Sequence, residues 1–265
     1  MLQAKLYYIW KMNRTTSNNA IVLSLKTLGE NNFSVTILTR EQGVIFGTLY
    51  GGPKSKLRSL VSQWNAGVIY LYENQEKNQI KISDFDVKKF HDSFSENLFK
   101  SFASSLAAEI VIKTRCGGSN QQVFDLVSGF FDGMELSDEA QSRVGLIRFL
   151  WRYLEILGVQ PDSSSCSFCG KSFLSEFAPD SNSYYNVGAN SFICRECYNK
   201  DEIVYPLSTL GAVYLTGLTN LQPAEARKLK IDKETYQQIK QIVFYLIEKN
   251  IETKLNTLET GRGIL

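Results

Sequence analysis

Four cysteines, arranged as two pairs, constrain the fold of this chain more than any other feature of its sequence. The pairs are Cys166-Ser167-Phe168-Cys169 and Cys194-Arg195-Glu196-Cys197, and 24 residues separate them. Each Cys-x-x-Cys pair can place two thiolates on one tight turn, at the separation that tetrahedral Zn²⁺ requires. The spacing therefore predicts one structural zinc ion bound by Cys166, Cys169, Cys194 and Cys197, with a hairpin in the loop between the pairs.

Three other uses of paired cysteines fit the sequence less well. A redox-active pair needs a strand-to-helix setting, whereas a serine-rich segment precedes Cys166. Iron–sulfur clusters use more compact spacings. Disulfides belong to oxidising compartments, but cations interrupt the apolar residues of the N-terminus, so it does not resemble a signal peptide. We therefore expect a cytoplasmic protein with reduced thiols, in which Cys116, without a partner at metal spacing, is an ordinary thiol.

The first 90 residues alternate short apolar runs with polar or glycine-bearing segments, which is the pattern of strands and turns. Runs rich in Ile, Val, Leu, Phe and Tyr predict five strands: Ile21–Leu25, Phe33–Leu38, Val44–Tyr50, Gly67–Tyr72 and Gln79–Asp84. Five closely spaced strands without a long helix between them favour a small closed barrel, because closure removes the exposed sheet edges.

Beyond residue 92 the apolar residues recur at helical spacing. The predicted helical segments are Phe94–Ile110, Val123–Phe131, Val144–Leu154, 208–217 and 233–256. The cysteine-bearing segment between them has neither the helical nor the strand period. We therefore predict an α+β fold in which a barrel (1–90) precedes a helical domain (91–160 and 207–265), with a zinc-finger module (161–206) inserted into that domain.

The charge is distributed unevenly along the chain. Residues 1–60 carry eight cations and two carboxylates, a balance of +6, and the remainder must sum to −4 because the whole chain is +2. A basic segment that forms a small barrel suits single-stranded nucleic acid, which such barrels bind through cations and stacking aromatic rings. Candidate phosphate-binding residues are Arg14, Lys26, Arg40, Lys54, Lys56 and Arg58, and candidate stacking residues are Tyr50, Tyr70 and Tyr72.

Residues for catalysis are scarce in this sequence. His91 is the single histidine, so the sequence offers little scope for general acid–base catalysis by imidazole. Pro53 stands immediately before Lys54, where a phosphate-binding loop needs glycine. The sequence therefore predicts a protein that is not an enzyme, and a nuclease is the least favoured class.

Several stretches resemble RecO, the family of bacterial recombination mediators. They include Leu38-Thr39-Arg40-Glu41-Gln42-Gly43, then Gly52-Pro53-Lys54-Ser55-Lys56-Leu57-Arg58, and Leu154-Glu155-Ile156-Leu157-Gly158 with Pro161 ahead of the cysteine pairs. The resemblance is collinear over nearly the whole chain. It implies an oligonucleotide-binding (OB) barrel, a helical domain and a zinc finger in a protein of the bacterial cytosol and nucleoid.

The same resemblance implies a function and partners. The partners are single- and double-stranded DNA, RecR, and the acidic C-terminal tail of single-stranded-DNA-binding protein. The function is to anneal complementary DNA strands and to help load recombinase onto single strands that are coated by single-stranded-DNA-binding protein. Arg148 and Arg152, one helical turn apart, are the candidate residues for the tail. Two other classes stay open: an RNA-binding or ribosome-associated zinc protein, and a zinc-ribbon module for protein assembly.

Overall fold

The structure is a computed structural model that describes residues 15–52, 55–74, 79–178, 181–251 and 253–265. The chain forms two compact units. One comprises Met1–Glu139 and Leu255–Leu265, and the other comprises Ala140–Lys254. The finer division at residues 90, 160 and 206 stays a prediction about domain organisation.

Five strands in the first unit close into a barrel, as the sequence predicts. They are β1 (Thr15–Leu28), β2 (Asn32–Thr39), β3 (Gly43–Leu49), β4 (Ala66–Asn74) and β5 (Gln79–Lys89), and helix α1 (Lys56–Leu60) lies between β3 and β4. The order around the barrel is β1-β2-β3-β5-β4. All neighbours are antiparallel except β3 and β5, which are parallel.

Alternation along the strands fills the barrel with apolar side chains. Inward-facing residues such as Val22, Ile37, Leu49 and Ile82 are almost fully buried in one cluster. The strands bend at irregularities in the pairing, one of which lies between Ala66 and Gly67. Such bulges sharpen the bend that a small barrel needs.

Helices cover one part of the outer barrel surface. The first unit contains α2 (Ser93–Glu96), α3 (Leu98–Thr114), α4 (Asn120–Glu135) and, from the end of the chain, α9 (Asn256–Thr260). Ile21, Leu23 and Leu38 point outward from the barrel, yet all three are fully buried, because α3 packs on β1 and α4 packs on β2. The outer surface of β3, β4 and β5 carries most of the exposed barrel side chains.

The lone histidine fastens the end of β5 to the helices. The His91 Nδ1 lies 2.7 Å from the Trp64 carbonyl oxygen, which can only accept, so this nitrogen carries the hydrogen. The imidazole stacks on Phe94 and meets the edge of Phe131. The position of His91 in this aromatic cluster is structural.

The second unit combines helices with a three-stranded sheet of order β7-β6-β8. Its elements are α5 (Glu139–Ile156), β6 (Asn182–Asn186), β7 (Ser191–Cys194), a 3-10 turn (Arg195–Cys197), β8 (Val204–Ser208), α6 (Thr209–Asn220), α7 (Pro223–Ala226) and α8 (Lys233–Asn250). Trp151 of α5 and Tyr185 of β6 both contact the Phe192 ring. No helix in the described parts of the chain is long and apolar enough to span a membrane.

Candidate metal centre and nucleic-acid interface

The four paired cysteines converge on one point in the second unit. Their sulfur atoms all lie within 4.8 Å of one another, and Cys169 Sγ is 3.8 Å from Cys194 Sγ. A tetrahedral zinc ion with bonds of about 2.3 Å requires its sulfur ligands to be about 3.8 Å apart. The described residues therefore contain a four-cysteine cluster with the size of a structural metal site.

Local backbone geometry produces this convergence. Gly170 has a φ of +74°, which closes the first turn, and its N–H donates to the Cys166 carbonyl at 2.8 Å. The second pair lies on the 3-10 turn that follows β7. The Ser167 N–H donates to the Phe192 carbonyl at 3.0 Å and joins the first turn to β7. Each cysteine pair is thus held by the backbone of its own turn.

The environment favours thiolate at Cys166 and opposes it at Cys194 and Cys197. Burial disfavours ionisation of Cys166, but backbone N–H groups of Cys169, Cys194 and Phe168 outweigh it and lower the pKa of this thiol to about 7. Burial raises the pKa of Cys194. Burial and contacts with the neighbouring thiols raise the pKa of Cys197 as well. Four adjacent thiols need a cation to ionise together, because like charges repel.

The predicted phosphate-binding residues occupy different settings. Arg14 and Lys54 lie outside the described residues. Lys26 and Lys56 are exposed, on β1 and at the start of α1. The guanidinium of Arg58 lies 4.5 Å from the centre of the Phe33 ring. Within the described residues, none of these last three cations forms an ion pair.

Arg40, in contrast, is engaged by a carboxylate. Its Nε and Nη2 donate to the two oxygens of Asp125 on α4, at 3.1 Å each. This two-point pair joins the β2–β3 turn to the helices of the same unit. Asn120 adds a hydrogen bond of 3.1 Å from its side chain to the Glu41 carbonyl. The structure therefore brings Arg40 to Asp125 and leaves it only partly exposed.

Sequence reasoning missed one cation on the same barrel. Lys81 is exposed on β5, and its Nζ lies 5.6 Å from the centre of the Tyr50 ring. The signal was present, because Lys81 stands between the inward-facing Ile80 and Ile82 and alternation directs it outward. Of the candidate stacking residues, Tyr50 and Tyr70 are 40% and 37% exposed, and Tyr72 is partly buried.

The two arginines of α5 donate to backbone carbonyls of their own unit. Arg148 donates from Nε to the Tyr214 hydroxyl at 3.1 Å and from Nη2 to the Leu229 carbonyl at 3.4 Å. Arg152 donates to Leu218 and Leu221 at 3.2 and 2.9 Å and so caps the end of α6. Burial lowers the pKa of Arg152, Glu155 acts in the opposite direction, and the charges of Arg148 and Arg227 lower it further. Three arginines are thus concentrated on one surface of the second unit.

Known proteins resemble the chain over both of its regions. A family model described as recombination protein O N terminal matches residues 12–89, and one described as recombination protein O C terminal matches residues 95–259. A protein of Bacillus pumilus (strain SAFR-032) named DNA repair protein RecO is 24% identical over 228 residues, which is 85% of each chain.

Other relatives carry the same name. One from Bacillus velezensis is 26% identical over 231 residues, or 86% of each chain. One from Alkaliphilus metalliredigens is 21% identical over 248 residues, which cover 92% of this chain and 97% of that protein. The alignments therefore extend over the barrel and the cysteine cluster alike.

Proposed function

This chain belongs to the RecO family of DNA repair proteins, and from that premise we propose that it binds DNA as a recombination mediator, without catalysing a reaction. It would anneal complementary strands and, with RecR, help to load recombinase onto single strands that are coated by single-stranded-DNA-binding protein. Such a function is carried out where the chromosome lies, in the bacterial cytosol.

One observation carries the DNA-binding part of the proposal. Strand β1 presents Lys26, and the short helix α1 presents Lys56 and Arg58, without ion pairs among the described residues, whereas Lys88 and Lys89 are paired with Asp86 and Asp132. Cations that are not neutralised by the protein are available to phosphates, and their binding releases counterions. We propose that these three cations, together with Lys54 and Arg14, make the main contact with DNA.

The cysteine cluster would hold one zinc ion with a structural role. All four ligands come from the protein, and such closed sites stabilise a fold rather than catalyse. The ion would draw together the turns at Cys166 and Cys194, on either side of the loop that contains β6. Bound zinc would also offset the repulsion between the thiolates.

The arginine surface of the second unit would receive the acidic tail of single-stranded-DNA-binding protein. Arg148 and Arg152 already donate hydrogen bonds to carbonyls. They would therefore contribute positive electrostatic potential to the site rather than direct hydrogen bonds to the tail. Arg227 is exposed and close enough to lower the pKa of Arg152. We propose that Arg227 makes the direct contact with a tail carboxylate.

Annealing of coated strands tests the proposed function. Complementary oligonucleotides are first coated with single-stranded-DNA-binding protein and then mixed with and without this chain, and duplex formation is followed by fluorescence transfer. The protein should accelerate duplex formation, while a non-complementary pair stays unchanged. Equal rates with and without the protein, at concentrations at which it binds the coated strands, would overturn the annealing function.

A further inference from the structure

Four outward-facing residues form a continuous row across the barrel. Lys26 of β1 is opposite Ser34 of β2, Ser34 is opposite Thr48 of β3, and Thr48 is opposite Lys81 of β5. Residues in register project from the same face of a sheet. Neighbouring strands are about 4.8 Å apart, so the two lysines lie roughly 14 Å apart, with two hydroxyl side chains between them. The row runs perpendicular to the strands.

The ring of Tyr50 lies beside this row. Thr48 points outward, Leu49 is buried in the core, and Tyr50 points outward again at the end of β3. The side chain of Gln79 donates to the Tyr50 hydroxyl and so fixes the orientation of the ring. The ammonium of Lys81 lies over the ring, and both side chains are exposed. The ring is therefore a fixed apolar surface that a flat partner can reach.

Two other parts of the barrel surface are less suitable for the same ligand. The outward-facing Ile21 and Leu38 are covered by helices of the same unit. Tyr70 matches Tyr50 in exposure, but its cross-strand partner is Asp84, and Asp86 is exposed further along β5. Carboxylates at this position repel phosphates. Among the exposed tyrosines in the described part of the barrel, Tyr50 is the one with a cation above its ring.

We propose that a single strand of nucleic acid crosses the barrel along this row and stacks one base on Tyr50. Lys26 and Lys81 would bind the phosphates on either side of that base, with Ser34 and Thr48 as hydrogen-bond donors between them. The base replaces the Lys81 ammonium on the ring, and the freed ammonium moves to a phosphate. This inference rests on the proposed function and adds a specificity: the flat face of a base is accessible only when the strand is unpaired.

A comparison of two oligonucleotides separates stacking from charge. Fluorescence anisotropy would measure binding of a thymidine 20-mer and of an abasic 20-mer with the same number of phosphates. Tyr50→Ala should weaken binding of the thymidine strand by roughly fivefold or more, since a stacked base contributes that much or more. It should leave binding of the abasic strand unchanged. Tyr50→Phe should bind both strands like the wild type.

Tyr70→Ala is the matched control, because it removes an equally exposed tyrosine from the same barrel. It should bind the thymidine strand like the wild type. Lys81→Ala should weaken binding of both oligonucleotides, because it removes a phosphate contact. The stacking site would be overturned if Tyr50→Ala and Tyr70→Ala weakened binding of the thymidine strand equally. It would also be overturned if Tyr50→Ala weakened binding of the thymidine and abasic strands equally. A wild type that binds neither strand would instead refute the proposed function, and this inference with it.

Discussion

Glu109 on α3 accepts a hydrogen bond from the backbone N–H of Thr257, 148 residues further along the chain, at 2.8 Å. Its other oxygen accepts from the Asn256 N–H at 2.9 Å. The residue at the cap position of α9, Leu255, has no side-chain acceptor for these groups. Glu109 therefore caps this short helix from a distance and attaches the end of the chain to the first unit.

This capping predicts a pH-dependent contribution to stability. Burial favours the neutral acid, but the hydrogen bonds from Thr257 and Asn256 outweigh it and lower the pKa of Glu109. The stabilisation is therefore complete above the unfolded-state pKa of about 4.3, and it is lost as the pH falls through the lower folded-state value. Glu109→Gln should lower the free energy of unfolding by about 1–2 kcal/mol at pH 7, and by progressively less below pH 4.

Urea denaturation of wild type and Glu109→Gln across pH 3–7 provides the measurement. Glu96→Gln serves as the control, because Glu96 is an exposed glutamate of the same unit. If the loss of unfolding free energy caused by Glu109→Gln stays constant down to pH 3, the carboxylate does not act as the cap.

Two glycines of the first unit should respond oppositely to alanine. A Cβ at Gly67, at the irregularity between β4 and β5, would lie 2.1 Å from the Asp86 carbonyl oxygen. The backbone must shift to accept it, so Gly67→Ala should destabilise the barrel by at least about 2 kcal/mol. A Cβ at Gly129 within α4 meets nothing within 4 Å, so Gly129→Ala should be neutral or stabilise by up to about 1 kcal/mol. Thermal unfolding of both variants checks the pair, and similar midpoints would contradict it.

The elements that sequence predicted well are those with strong local signals. Short runs rich in Ile, Val, Leu, Phe and Tyr between turn-like segments located all five strands, and the cysteine spacing predicted the four-cysteine cluster. The predicted helix over 233–256 differs from the structure, in which α8 ends at Asn250 and α9 begins at Asn256. The local period could not reveal this break, since the capping group of α9 is Glu109 on a distant helix.

Charged side chains were harder to interpret, because their partners are remote in sequence. Arg40 stands at the end of a predicted strand among other cations, and nothing nearby indicates that Asp125, 85 residues away, binds it. Lys81 lies beyond the basic segment 1–60 and is close to Tyr50 only because β3 and β5 are neighbours in the barrel. Tertiary pairing decides which cations stay available to a ligand.

The cysteine cluster predicts one zinc ion in each chain. Protein purified without chelator should contain one equivalent of zinc by elemental analysis, with four of its five thiols protected from a thiol reagent. Cys166→Ser should lose the metal and unfold the segment around β6 and β7, because zinc binding and folding of such a site are coupled. The barrel lies in the other unit and should stay folded.

Cys116→Ala is the control for this prediction. Cys116 is buried and lies outside the cluster, so its replacement should leave the zinc content unchanged. Freely titratable cluster thiols and an absence of metal in the wild type would refute the zinc site.

The arginine surface predicts that a single exposed side chain controls tail binding. Arg227→Ala should weaken binding of a fluorescent acidic tail peptide by at least about threefold, since it removes one ion pair. The fold should persist, because the hydrogen bonds of Arg148 and the bonds with which Arg152 caps α6 remain. The Arg148→Ala, Arg152→Ala double variant should weaken binding too, but it also removes those bonds, so its melting temperature must be measured beside it. Lys233→Ala, an exposed lysine of the same unit, is the control. Unchanged binding by both arginine variants would exclude the surface.

The basic region beside β3 predicts a specific salt dependence of DNA binding. Lys54, Lys56 and Arg58 lie within five residues of sequence, and contacts with phosphate do not depend on base identity. Each phosphate contact to a single strand contributes roughly 0.7 to the slope of log affinity against log salt. We therefore expect two effects of the triple variant Lys54→Ala, Lys56→Ala, Arg58→Ala. It should flatten that slope by about two units, and it should weaken binding equally for strands of different sequence.

A charge-matched control separates a local footprint from a general effect of net charge. Replacing Lys88, Lys200 and Lys233 with alanine also removes three positive charges, but all three lie outside the proposed contact. Lys88 is paired with Asp86, and Lys200 and Lys233 are in the second unit. This control should keep the wild-type slope, because long-range charge is screened beyond about 8–10 Å at physiological salt. If both triple variants change the slope equally, or if neither changes it, the DNA contact lies elsewhere on the protein.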